Sequence, residues 1–108
     1  MPRSPYRQRR QVGAGNQQVR RDLAELPGLL DEVDRLIQRG VLGAEELGAA
    51  DFQIGTSVRM LLSMQDVGQL VKGRPAESLA LRTQPDYPDI PAALPPEWLP
   101  APVSAAAA

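Results

Sequence analysis

Leu47, Gly48, Asp51 and Phe52 are spaced so that a carboxylate meets a backbone donor at the opening of a helix. With Gly48 at the cap, Asp51 can accept the Gly48 N–H, and Leu47 and Phe52 can close as an apolar staple across the first turn. This is charge-assisted hydrogen bonding inside a fold rather than turnover of a substrate. Arg59 follows on the same stretch, where its guanidinium could hold the carboxylate of a ligand or an acid of its own domain. At the other end of the chain Arg3, Arg7, Arg9 and Arg10 could neutralise phosphates while Tyr6 stacks on a base. With one aromatic residue there and no recognisable nucleic-acid motif, that reading is disfavoured against a head never selected to fold.

The residue types that are missing narrow the chemistry further. There is no Cys and no His, which removes disulfide frameworks, thiolate or imidazole metal sites and every nucleophile that needs an imidazole base. Carboxylates, Ser, Thr and Tyr remain, and they form no constellation that reads as catalytic, so neither catalytic residues nor metal ligands are assigned. Zero Cys, no apolar run long enough to span a bilayer and no signal-peptide pattern favour the cytoplasm.

The elements that must position these residues are helical. The chain has 108 residues, enough for one small domain. With three Met, one Trp, two Tyr and one Phe, its core must be built from Leu, Val, Ile and Ala, a composition that points to an all-α helical bundle. The net charge of −1 hides an asymmetry: residues 1–21 hold six Arg and no acid, so the remaining six basic and thirteen acidic groups leave the body strongly negative. Residues 1–15 offer almost nothing to bury and read as a flexible Arg-rich arm. From Asn16, taken as the cap, Val19, Leu23, Leu26, Leu30, Val33 and Ile37 recur at helical spacing with Leu29 and Leu36 widening the stripe, and Gly40 ends the run. Pro27 should kink or split this helix, and Asp31 and Arg35 should pair on its wet side.

A second helix is expected from about Ala49 to Gln65, with Asp51 on its apolar arc and Met60 and Met64 on the other side. Asp66 can cap a short third helix ending at Gly73, and Pro75 suits the first position of a fourth that runs to Arg82. Residues 85–108 form a Pro-rich tail in which Tyr87, Ile90, Leu94, Trp98 and Leu99 mark a strap laid over the domain. Its three-residue Pro period resembles a polyproline II ligand, but the neighbours Asp86 and Asp89 carry the wrong charge for one.

The Asp51 box with its staple resembles the capping box that opens the buried central helix in the C-terminal all-helical domain of glutathione S-transferases. The stretch LPGLLDEVDRLIQRGVLGAEELGAADFQIGTSVRMLL, then VKGRPAESLA and a tail of PDYP and LPPEWL, is similar to actinobacterial members of that family over roughly residues 16–100. The cap is Gly48 where the family has Ser, Thr or Asn, so the hydroxyl half of the box is missing. Residues 16–84 would then be the helical domain, a truncated or partial transferase without its thioredoxin-like half. The resemblance implies that Arg59, Met60 and Met64 line the hydrophobic electrophile pocket, although Met at this spacing also fills cores. It implies glutathione as cofactor for complete relatives, none for this chain alone, and no activity without the other half. Tyr6 lacks the strand and loop context of an activating tyrosine.

The partners this suggests are a second copy in a homo-oligomer or a thioredoxin-like domain, with no membrane, and with nucleic acid at the Arg-rich head as the disfavoured alternative. The rival reading is a stand-alone helical interaction module. In either case an apolar patch including Leu23, Leu26, Leu30 and Met64 is expected at the surface.

Overall fold

The computed structural model describes the backbone of residues 5–101 and the side chains of residues 15–101. Three α-helices make up most of it: α1 (Pro5–Gln38), α2 (Ala49–Ser63) and α3 (Pro75–Thr83). Short 3-10 turns at Val67–Leu70 and Pro96–Trp98 stand between and after them, and no strand occurs among the described residues, so the all-α expectation holds.

α1 is longer than its periodicity suggests. It begins at Pro5, not at Asn16, so the segment expected to be an unfolded arm continues the helix and Asn16 lies in its interior. Arg and Gln are good helix formers, and an anchored helix extends at little cost even where it buries little, since propagation is easier than nucleation. Pro27 does not split α1. Its missing N–H costs one hydrogen bond, and Leu23 and Leu30, both buried, hold the helix to the core on either side. Gly40 has the left-handed φ of 79° that ends the helix. Arg3 and the Ala-rich end of the tail lie outside the described residues, as do the side chains of Tyr6, Arg7, Arg9 and Arg10.

The core is built from Leu23 and Leu30 of α1, Val58 of α2, Val67, Leu70 and Val71 around the first 3-10 turn, and Ala76 and Ala80 of α3. α2 packs chiefly on α3, and α1 packs on α3 as well, whereas the backbones of α1 and α2 hardly approach each other. Small residues permit the close approaches. Gly68 sits so near the Leu62 carbonyl that an added Cβ would fall 2.3 Å from its oxygen, which lets the chain turn tightly out of α2. Pro75 is the first residue of α3, where its missing N–H has no helical partner to lose.

The segment after α3 is laid over the bundle as a strap. Ile90 exchanges backbone hydrogen bonds with the end of α2, donating to the Ser63 carbonyl and accepting from the Gln65 N–H, both at 2.9 Å. Leu94, Trp98 and Leu99 are half-buried against the core, and Arg20 of α1 lies over the Trp98 ring at 5.4 Å from its centroid. No helix among the described residues is long and apolar enough to cross a membrane.

Candidate functional site

The buried polar side chains spend their bonds on the fold. Asp51, 6% exposed, accepts the Gly48 N–H at 2.8 Å and also the Gly43 N–H at 2.7 Å. It therefore joins the start of α2 to the preceding loop. The Gly43 bond, then the Gly48 bond, hold its carboxyl below the usual carboxylate range against the opposing effect of burial, with Arg82 helping. Gly48 has no side chain to return the bond, so the hydroxyl half of the box is empty. Of the staple residues, Leu47 is half-buried and Phe52 is 48% exposed.

Four further groups act in the same way on the main chain. Arg59, buried on α2, donates from Nε to the Gln84 carbonyl at 2.7 Å and from its two terminal nitrogens to Ser63 Oγ at 2.6 Å and the Pro85 carbonyl at 3.2 Å. It binds the C-terminal end of α3, where carbonyls lack helical partners, and stacks on Tyr87. The reading that Arg59 pairs with an acid is thus corrected: carbonyl oxygens take that place. Asp66 accepts the N–H groups of Val67 at 2.8 Å and of Ala93 and Leu94 at 3.0 Å each. Burial pushes its carboxyl up, but those donors outweigh it and leave the group below its ordinary value.

Arg74 joins α3 to α1. Its guanidinium bonds Asp31 at 2.7 Å and Asp34 at 2.9 Å, while Asp34 also accepts the Ala76 N–H at 2.9 Å and so caps α3 from another helix. Asp31 therefore does not pair with Arg35, whose partner is Glu32. Burial disfavours the Arg74 cation, yet the bonds from Asp31 and Asp34 carry its pKa upward. Arg82 forks onto the carbonyls of Gly43, Ala44 and Glu45. Among the described residues no buried side-chain polar atom lacks a partner, and no cluster of three or more acids could hold a metal ion.

What the fold leaves open is apolar. Because α1 and α2 stand apart, a groove of about 330 Å³ runs between them, walled by Leu26, Leu29, Leu30 and Val33 on one side and Ile54, Val58 and Leu61 on the other. It continues into a second hollow of about 440 Å³ between Val19, Leu26 and Leu29 of α1 and Leu61, Met64, Val67 and Leu94. Leu29 is 61% exposed and lines both, so a single ledge of α1 presents apolar surface along the seam.

The residues proposed from sequence to line a pocket do not converge. Met64 lines the second hollow, Met60 is 44% exposed and lines neither, and Arg59 is committed to the end of α3. Leu26 and Met64 do contribute to the apolar surface, but Leu23 and Leu30 are core residues. Sequence reasoning missed the groove itself. Leu29 was visible only as widening an apolar stripe, and an excess of apolar positions over what one core contact needs is the signal that could have found it. No family model matches the chain, and no curated protein or solved structure is significantly similar to it.

Proposed function

We infer that this chain is a helical interaction module whose docking site is the groove between α1 and α2. The observation that carries the reading is the continuous apolar lining of Leu26, Leu29, Ile54 and Leu61 in a fold where, among the described residues, every buried side-chain polar atom has an internal partner. A groove between two helices whose lining is mostly apolar, with Gln53 and Ser57 the polar residues along it, suits the apolar face of a further helix, laid in at i, i+3, i+4 and i+7 positions. It does not suit a small polar substrate, which needs convergent donors and acceptors. The test is binding of an anilinonaphthalene sulfonate dye by the wild type and by L29D. Leu29 stands largely in water, so the substitution spares the fold, and circular dichroism should be unchanged while dye fluorescence falls. Equal fluorescence from both proteins would remove the groove from consideration.

The second reading is the helical half of a glutathione S-transferase-like protein, favoured by the buried Asp51 at the start of α2. Under it the partner is a thioredoxin-like domain that brings glutathione, and Met64 in the groove wall belongs to an electrophile pocket. The purified chain is then expected to leave glutathione and an aromatic electrophile at their uncatalysed rate. Conjugation above that rate that survives repurification would overturn this expectation.

A further inference from the structure

We propose that the occupant of the groove is a second copy of this chain, its α1 laid antiparallel on the first about a two-fold axis near Leu26. The inference rests on the docking reading above and adds the identity and direction of the partner.

The groove-facing flank of α1 is complementary to itself when reversed. Val19 and Val33 stand two helical turns on either side of Leu26, on nearly the same face. Reversal therefore places Val19 of one copy on Val33 of the other and Leu26 on Leu26, with Leu29 filling the space between the two seams. The charges repeat the pattern. Arg21 precedes Leu26 by about the same distance as Glu32 follows it, and both are exposed on the same edge of that flank. The antiparallel arrangement sets Arg21 against Glu32 twice, once on each side of the axis.

The neighbouring charges point the same way. Reversal about Leu26 overlaps the two helices from about residue 14 to Gln38, and within that overlap Arg20 and Arg21 of one copy lie across Glu32 and Asp31 of the other. Within one copy residues 15–22 are all exposed and rest on the remainder of the chain chiefly where Arg20 lies over Trp98. A helical segment with so little support is marginal in water, and the second copy supplies further surface. The assembly is a four-helix arrangement of α1 and α2 from each copy, closed and isologous.

Sedimentation velocity over a micromolar concentration range tests the proposal, combined with charge reversal and with thiol cross-linking, which is clean because the chain has no Cys of its own. The wild type is expected to sediment as a dimer that weakens as salt screens the rim charges, and L29D as a monomer. R21E and E32R should each weaken the dimer, and R21E/E32R should restore it. L26C should form a disulfide dimer on mild oxidation, whereas F52C, away from the axis, should not. A wild type that stays monomeric yet binds the dye in a Leu29-dependent way would overturn self-pairing and leave the docking groove standing. Dimers indifferent to L29D and to charge reversal would overturn it as well, by placing the contact elsewhere. A monomer whose dye binding ignores Leu29 would sink both readings.

Discussion

Replacing Asp66 with Ala removes a carboxylate that holds three backbone N–H groups, one at the start of a 3-10 turn and two in the strap. Loss of a cap of the first kind costs about 1 kcal/mol. The bonds to Ala93 and Leu94 are charge-assisted, and such bonds contribute about 1.5–3 kcal/mol each. The sum is not the expected result, because the strap can lift and return its N–H groups to water. The loss is then limited to what docking the strap contributes, chiefly the partial burial of Leu94, Trp98 and Leu99. A destabilisation of about 2–4 kcal/mol follows, a large fraction of the ~5–15 kcal/mol typical of a small domain.

The assay uses the position of the single Trp. Trp98 is in the strap and reports its docking by fluorescence, while far-ultraviolet circular dichroism reports α1, α2 and α3. In the wild type the two urea transitions should coincide. In D66A the fluorescence transition should move to lower urea than the helical one, because the strap leaves before the bundle opens. D66N, which keeps an acceptor but no charge, should fall between. Coincident transitions in D66A with a loss below about 0.5 kcal/mol, the range of ordinary surface changes, would refute the idea that Asp66 fastens the strap.

Urea midpoints check the remaining predictions. G48S should stabilise by a few tenths of a kcal/mol, because Gly48 already has extended backbone, an added Cβ meets nothing closer than 3.8 Å, and Ser is a modestly better cap than Gly. D34N should cost more than D31N, since Asp34 is the less exposed partner of Arg74 and also caps α3; Asp31, 63% exposed, should contribute about 1 kcal/mol or less. Asp51 and Asp66 both titrate below their ordinary 3.8 in the folded chain, so their stabilisation is fully present above that value and is lost as pH falls through the folded values. The wild-type midpoint should therefore drop on acidification below about pH 4, and D51N/D66N should flatten that drop.

Local signals carried most of the helical framework. Gly48 and Asp51 mark where α2 opens, Gly40 where α1 closes and Pro75 where α3 begins, because caps and breakers act on residues three or four positions away. The start of α1 was misread at Asn16, since a cap-competent residue inside a polar stretch is no signal of where helix begins once the downstream part is anchored. The longer-range groups were illegible for a different reason. Asp34 grips Ala76, Asp66 grips Ala93 and Leu94, and Arg82 grips Gly43 through peptide groups, and a peptide group has the same appearance in every sequence. The groove was half legible: Leu29 and Leu26 announce a stripe wider than one contact, but only the separation of α1 from α2 turns that excess into a cleft.

The prolines of the strap and the donors it uses exclude one another. Ile90, Ala93, Leu94, Trp98 and Leu99 all give their N–H groups to hydrogen bonds, and they fall in the gaps between Pro88, Pro91, Pro95, Pro96 and Pro100. Each proline removes a donor that would otherwise need a partner and narrows the conformations open to the unfolded segment. The side chains gripped in this way are not what Asp66 reads, so mutation can drift freely at Ala93 in every direction but one. Among descendants of this chain the exposed strap positions Ala92 and Ala93 should vary in side chain while Leu94, Trp98 and Leu99 stay apolar and the prolines keep apart from the bonded positions, so that at Ala93 the forbidden substitution is set by the main chain alone.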